Sequence, residues 1–332
     1  LEGGVALHPA ATGLKELFDD GKLAVIQGVG YPNPNRSHFA SMDIWHTADP
    51  TLRRHEGWLG RYFDACCKGD DPGPEPISGV ALMREAPLAM QGDKFAPLAF
   101  ESPDSLAWQG ARGDDKAADT FRRLNNISGD LPATEHELAA YLQRAALKAQ
   151  VGADEIRTAA GRNLGGRSRL GRRGDELARA LQLVARMIKA DLPTSVYYVS
   201  MGGFDTHSGQ LGRHRQLMAQ LGEGVKGFIE TLTEDNLLDR VLVLTFSEFG
   251  RRVQENASGG TDHGEAAPMM LMGSRVRAGV HEKHPSLEQL HRGDLSFGID
   301  FRRVYASVLR DWLRTDPQKV LGGSYAPMRL IT

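Results

Sequence analysis

The chain has 332 residues, with 40 Lys+Arg against 42 Asp+Glu and a formal net charge of −2. Charged residues are 25% and the hydrophobic set 41%, an ordinary balance for a soluble globular protein with one large α/β domain or two smaller ones. This balance excludes a uniformly basic nucleic-acid binder and an acidic tail protein. No apolar run approaches the roughly 20 residues of a membrane span. The two cysteines, Cys66 and Cys67, are adjacent. They form no unstrained disulfide with each other and supply too few thiolates for a cysteine zinc site.

In chain order, residues 14–19 predict a short helix stopped by Gly21. Residues 23–29 (LAVIQGV) are apolar and bounded by glycines, which predicts a buried strand. The loop YPNPNRSHF follows, and Ser37 is placed to cap a helix running to about His46. A second helix is expected over 56–67. Residues 68–112 are rich in Pro and Gly, with short apolar runs at 80–83 and 88–90, and read as a loop-rich insert with small strands. Residues 135–162 have helical periodicity, and 161–174 read as a Gly/Arg linker. The second half predicts a helix at 175–190, a strand at 195–201, a helix at 208–232, strands at 241–246 and 268–272, and a last helix over about 301–313. Alternating helices and apolar strands predict a mainly parallel sheet covered on both faces, with ligands beyond the carboxyl ends of its strands.

The loops after those strands carry the chemistry. They read Asn35-Arg36-Ser37-His38, then Gly202-Gly203-Phe204-Asp205-Thr206-His207, then Ser247-Glu248-Phe249-Gly250-Arg251-Arg252, and finally Gly259-Gly260-Thr261-Asp262-His263-Gly264. Two Asp/His pairs follow Gly-Gly dipeptides. Carboxylate and imidazole together form a ligand set for Zn, Mn or Fe, and carboxylates also serve Mg or Ca. Asp205, His207, Asp262 and His263 are therefore the candidate ligands of one or two divalent metal ions (Zn, Mn, Mg or Ca). The plainer readings are a loop cap with a surface imidazole, and a polar turn.

Ser37 is either an N-cap, worth roughly 1 kcal/mol, or a nucleophile where helix-terminal N–H groups favour an anionic ester. Arg36 would hold an ester oxygen or be a solvated loop arginine. Four further candidates are His38 as ligand, base or packed ring, His214 two helical turns beyond His207, Glu248 as ligand or orienting carboxylate, and Arg251 as its ion-pair partner. One of His281, His284 and His291 could complete a site, with a surface position the default for each. The arginines of 162–173 lack interleaved aromatics, which argues against single-strand nucleic-acid binding.

The stretches LHPAATGLKELFDDGKLAVIQGVGYPNPNRSHFASMDIW, VYYVSMGGFDTHSGQ, LTFSEFGRRVQENASGGTDHG and DFRRVYASVLRDWL together resemble the exported bacterial family known as domain of unknown function 1501. The resemblance runs from about Leu7 to Tyr325. That family resembles the alkaline phosphatase and sulfatase superfamily, which implies a single domain built as a three-layer α/β/α sandwich. It implies hydrolysis or transfer of phosphate or sulfate esters with metals at the carboxyl edge of the sheet. It also implies export to the periplasm behind a twin-arginine signal. Under the resemblance Asp262 and His263 match the superfamily's aspartate-histidine dipeptide. Asp205 and His207 match its earlier ligands, at a narrower spacing, and Ser37 stands where a Ser or Thr nucleophile is expected. Relatives begin with another strand and an Arg-Gly-Gly…Asp-Gly loop. LEGGVALHPAATGL reads instead as the middle of a domain, so that strand is expected to be missing, and no late histidine matches the final ligand.

The expected function is a metal-dependent hydrolase of a small anionic phosphate or sulfate ester, with Ser37 attacking and Arg36 orienting the anion. The alternative is an exported, non-catalytic binding or assembly protein with a vestigial or structural metal site. An intracellular nucleotide enzyme is disfavoured, because no phosphate loop is present.

Overall fold

The computed structural model describes residues 1–66, 75–106, 116, 119–120, 123, 150–161 and 175–332. Residues 162–174 of the expected 161–174 linker, most of the expected helix at 135–162 and parts of the 68–112 insert lie outside them. In chain order the elements used below are α1 (Thr12–Asp19), β1 (Leu23–Gly30), α2 (His38–Thr47), α3 (Trp58–Cys66), β2 (Gly79–Leu82), β3 (Leu98–Ala99), α4 (Glu176–Lys189), β4 (Val196–Val199) and α5 (Gln210–Glu234). There follow β5 (Val243–Thr245), β6 (Gly250–Glu255), β7 (Thr261–Gly264), β8 (Ala267–Met272), β9 (Gly279–His281), β10 (Ile299–Asp300) and α6 (Phe301–Ser307). Residues 150–161 are also helical.

LAVIQGVG forms β1, and every residue of it is buried. A strand that is apolar on both sides needs a cover on each face. The period-2 alternation of the strands provides two such cores. Ala24 and Ile26 of β1, Ala81 of β2, Tyr198 of β4, Leu244 of β5 and Leu271 of β8 meet α2, α3 and α6 on one side. Leu23 and Val25, Val80, Tyr197, Val243 and Met272 meet α1, α4, α5 and Ile156 on the other. The fold is thus mixed α/β, with helices packed on both faces of the strands.

β9 and β10 pair in parallel with one edge of β1, while β8 pairs antiparallel with the other edge and with β5. The order β3-β2-β4 makes a parallel sheet, and β6 and β7 form an antiparallel hairpin. The expectation of a mainly parallel sheet is corrected at β8. The β6–β7 hairpin pairs Gly250 with Gly264 and so returns the chain to the end of β5 it left, whereas a parallel β8 would need a crossover to the opposite end. The run at 88–90 is a 3-10 turn rather than a strand, and the last helix passes at Val308–Trp312 into a π-helical turn. Among the described residues no helix is long and apolar enough to cross a membrane.

His46, on the inner face of α2, is only 8% exposed, and its Nε2 lies 3.1 Å from the Tyr198 hydroxyl. Burial pushes the imidazole down to about 4, so it is neutral in the fold. In the unfolded chain it titrates near about 6.5 and takes up a proton first. The stability this neutral ring contributes is complete above about pH 6.5, and roughly 3 kcal/mol of it is lost on acidification to about pH 4. Urea unfolding of metal-free protein between pH 7.5 and 4.5 is expected to lose stability more steeply in the wild type than in His46→Gln. Equal slopes would refute the assignment.

Candidate metal centre

Four segments converge at one end of the strands. The loop after β4 carries Asp205 and His207. Its sharp turn uses Gly203 at φ 93°, a conformation costly for any side chain. The first residue of α2 is His38. The segment after β5 supplies Glu248 and Phe249. The β6–β7 hairpin, expected only as a loop, supplies Arg251, Asp262 and His263.

Backbone hydrogen bonds hold the hairpin turn to the Asp205 loop, from Gln210 N to the Gly259 carbonyl (2.9 Å) and from Gly209 N to the Ser258 carbonyl (3.2 Å). Gly260 closes this contact, since a Cβ there would stand 2.3 Å from the His207 carbonyl carbon. Gly260→Ala is therefore expected to destabilise the fold by about 1–3 kcal/mol and to weaken divalent-metal binding in the same variant. Calorimetric unfolding and metal titration check this, and a metal affinity unchanged from wild type would show that the loops are not coupled here.

Three imidazoles point their Nε2 atoms at one carboxylate. His207 Nε2 and His263 Nε2 are each 2.9 Å from Asp205 Oδ1, and His38 Nε2 is 3.2 Å from Asp205 Oδ2. His207 Nε2 and His263 Nε2 are 3.1 Å apart. Donor atoms around a tetrahedral Zn²⁺ lie about 3.3 Å from one another, so these separations suit ligands of one cation as well as a hydrogen-bonded Asp/His cluster. His38, Asp205 and His263 form a group whose ligand atoms all lie within 4.8 Å of one another, and such a group can hold a metal ion.

Each ring is also tied down at its outer nitrogen. His38 Nδ1 is 2.9 Å from Glu248 Oε1, His207 Nδ1 is 3.2 Å from Asp262 Oδ1, and His263 Nδ1 is 3.2 Å from the Arg36 carbonyl. Outer partners of this kind fix the tautomer and aim the inner nitrogen of a metal-binding histidine. Phe249 stacks on His263 with ring centroids 4.3 Å apart, and the His38 ring stands edge-on to the same imidazole.

Burial pushes the Asp205 carboxyl up, but the hydrogen bond from His263, the charge of His207 and the hydrogen bond from His38 outweigh it and hold Asp205 at about 2. The Glu248 hydrogen bond raises the His38 imidazole against the opposing effect of burial, and Asp205 raises it further. Hydrogen bonds from Asn256 and His207 lower the Asp262 carboxyl.

The remaining candidates are placed as follows. Asp262, expected as a ligand, lies on the outer side of His207, where Asn256 Nδ2 also donates to it (3.2 Å). Arg251 lies 3.4 Å from Asp205 and over the Phe249 ring. Ser37 is exposed at the N-cap of α2 with extended backbone angles, and its hydroxyl makes no capping bond. It stands between Arg36, whose carbonyl meets His263, and His38. Arg36 turns its guanidinium away from the centre to Asp294, whose side chain is fully buried. A buried carboxylate needs a cation beside it, and this requirement outweighs the expected aim of Arg36 at the centre. His214 meets His8 and Phe204 edge-on instead. His281 and His284 meet backbone carbonyls, and His291 meets Glu265.

Asn256 and Phe249 were not singled out by the sequence. An Asn ahead of Ser-Gly-Gly reads as an ordinary turn residue, and nothing local announces a ring stacked on a histidine.

No curated protein matches this chain. One solved structure, the crystal structure of Ps i-CgsB in complex with k-i-k-neocarrahexaose, is similar at 11% identity and a TM-score of 0.41, over 93% of this chain and 72% of that one. A likeness that low carries no argument about fold or function. The model of the family described as "Protein of unknown function (DUF1501)" matches residues 24–322. With the match spanning nearly the whole chain, including all four converging segments, the protein belongs to this family.

Proposed function

We propose that the protein is a metal-dependent hydrolase of phosphate or sulfate esters, built on the three-layer α/β/α plan of the alkaline phosphatase-like proteins. The observation that carries this reading is the set of three imidazoles, each tethered at Nδ1 and converging through Nε2 on Asp205. His38, Asp205, His207 and His263 would hold one or two divalent ions. A bound divalent ion supplies positive charge that lowers the pKa of an attacking oxygen and stabilises charge on the transferring group.

The chain's own groups do the rest. Ser37 presents an uncapped hydroxyl beside His38, at a helix N-terminus whose free N–H groups favour an anion. Glu248 and Asp262 hold their imidazoles in the tautomer that leaves Nε2 available. Arg251 places a guanidinium 3.4 Å from Asp205.

The test is turnover of p-nitrophenyl phosphate and p-nitrophenyl sulfate by protein purified without chelators, before and after chelation, alongside elemental mass spectrometry. Bound transition metal with chelator-sensitive release of p-nitrophenol is expected. Bound metal with no turnover of either ester would replace this reading with a non-catalytic metal-binding protein. No metal after reconstitution would end both.

A further inference from the structure

β6 presents two consecutive arginines, and neighbouring residues of a strand face opposite ways. Arg251 turns to Asp205 at the candidate metal centre, whereas Arg252 turns the other way and meets Asp294 through its Nε at 2.9 Å. Arg36 reaches the same Asp294, while its own carbonyl accepts from His263. The backbone of Arg36 is thus a wall shared by the metal centre and a second recess.

That recess has a volume of about 870 Å³ and is lined by Arg36, Arg252, Arg292, His291, Glu265 and Phe297, among others. The size is within the range of sites for small organic ligands. Its charge balance favours anions. Two guanidiniums share the one fully buried carboxylate of Asp294. Glu265 is engaged by His291 at 3.0 Å. Arg292 is exposed and has no ion-pair partner among the described residues. Its carbonyl accepts from Arg252, which fixes its backbone at the rim. Three guanidiniums against two carboxylates leave excess positive charge facing a space that no described side chain fills. Planar guanidinium groups are well matched to phosphate, sulfate and carboxylate oxygens.

We infer that this recess binds a second anionic group of the substrate, so that the preferred substrates are esters carrying another phosphate, sulfate or carboxylate beside the one that is cleaved. This rests on the ester-hydrolase reading for the word substrate, but the anion site itself stands on the recess alone. Arg36 joins the two halves, with its carbonyl on His263 and its guanidinium on Asp294.

Two measurements separate the claims. In the first, metal-free protein is titrated calorimetrically with tripolyphosphate at low salt. Wild type is expected to bind, and Arg292→Ala and Arg252→Met are each expected to bind at least about tenfold more weakly. Arg292 is exposed, so its variant is expected to fold even if Arg252→Met does not. Wild-type affinity in Arg292→Ala and in every folded Arg252 variant would overturn the anion site. In the second, metal-loaded protein is assayed for phosphate release from glucose 1,6-bisphosphate and from glucose 6-phosphate. Arg292→Ala is expected to lower kcat/KM for the bisphosphate about tenfold through KM and to change the monophosphate less than twofold. Equal effects on both substrates would overturn the second-anion role. Arginine-dependent tripolyphosphate binding without turnover of any ester would instead sink the hydrolase reading and leave the anion site standing.

Discussion

Ser37→Ala is expected to lower turnover of a phosphate or sulfate ester by about 1,000-fold or more, the range seen when a covalent nucleophile is removed. The effect should fall on kcat, with bound metal and thermal stability close to wild type. The reason lies in what the hydroxyl does in the fold. Ser37 occupies the N-cap position with φ −75° and ψ 127°, yet its side chain caps nothing. Its replacement therefore removes no helix-stabilising bond, and an N-cap role would cost roughly 1 kcal/mol of stability that this variant should not show. Paired measurement of turnover and unfolding separates the two roles. A variant that keeps its rate but unfolds more easily would make Ser37 a cap and remove it from the chemistry.

Asp205→Ala is expected to have the largest effect on metal affinity. Asp205 is the group on which all three imidazoles converge, and its carboxyl is held at about 2, so it stays ionised across the whole working range of pH. Removing it leaves the three Nε2 atoms without a carboxylate on their inner side, with Glu248 and Asp262 remaining only at the outer nitrogens. Outer partners of metal-binding histidines typically cost about 10–100-fold in affinity when removed. Asp262→Asn, which acts on Nδ1 of His207, should fall in that range, and Asp205→Ala should exceed it. Competitive titration of the chelated protein with Zn²⁺ or Mn²⁺ orders the two variants. If Asp262→Asn weakened binding more than Asp205→Ala, the centre would have to be rebuilt with Asp262 as the inner ligand, as its sequence position alone suggests.

Much of the framework was readable along the chain. LAVIQGV announced β1 because a strand buried on both faces needs a continuous apolar run. α4 and α5 followed from long amphipathic periodicity, and Asp175 caps α4 with a 3.1 Å bond from Ala178 N. The hairpin at 250–264 was not readable. GRRVQE and TDHG are polar and half-exposed, so they lack the apolar alternation that marks a strand. What pairs them is backbone hydrogen bonding and the turn through Asn256 and Gly260, which leaves no hydrophobic trace. The direction of β8 was equally invisible, because its apolar run reads the same in a parallel or an antiparallel sheet.

The candidate site divides along the same line. Residue types determined which loops were worth attention. Asp and His beside Gly-Gly, with Ser37 opening a helix, are residue types suited to metal and ester chemistry. The roles within the set depended on the tertiary structure. A histidine has two nitrogens, and only the packed fold decides which one meets Glu248, Asp262 or the Arg36 carbonyl and which is left to face Asp205. In the same way sequence places Arg36 next to Ser37, while the fully buried Asp294, 258 residues away in the chain, draws its guanidinium to the neighbouring recess. Local chemistry is a property of each residue and survives in the sequence. Orientation is set by partners distant along the chain, and those exist only once the strands have brought their ends together.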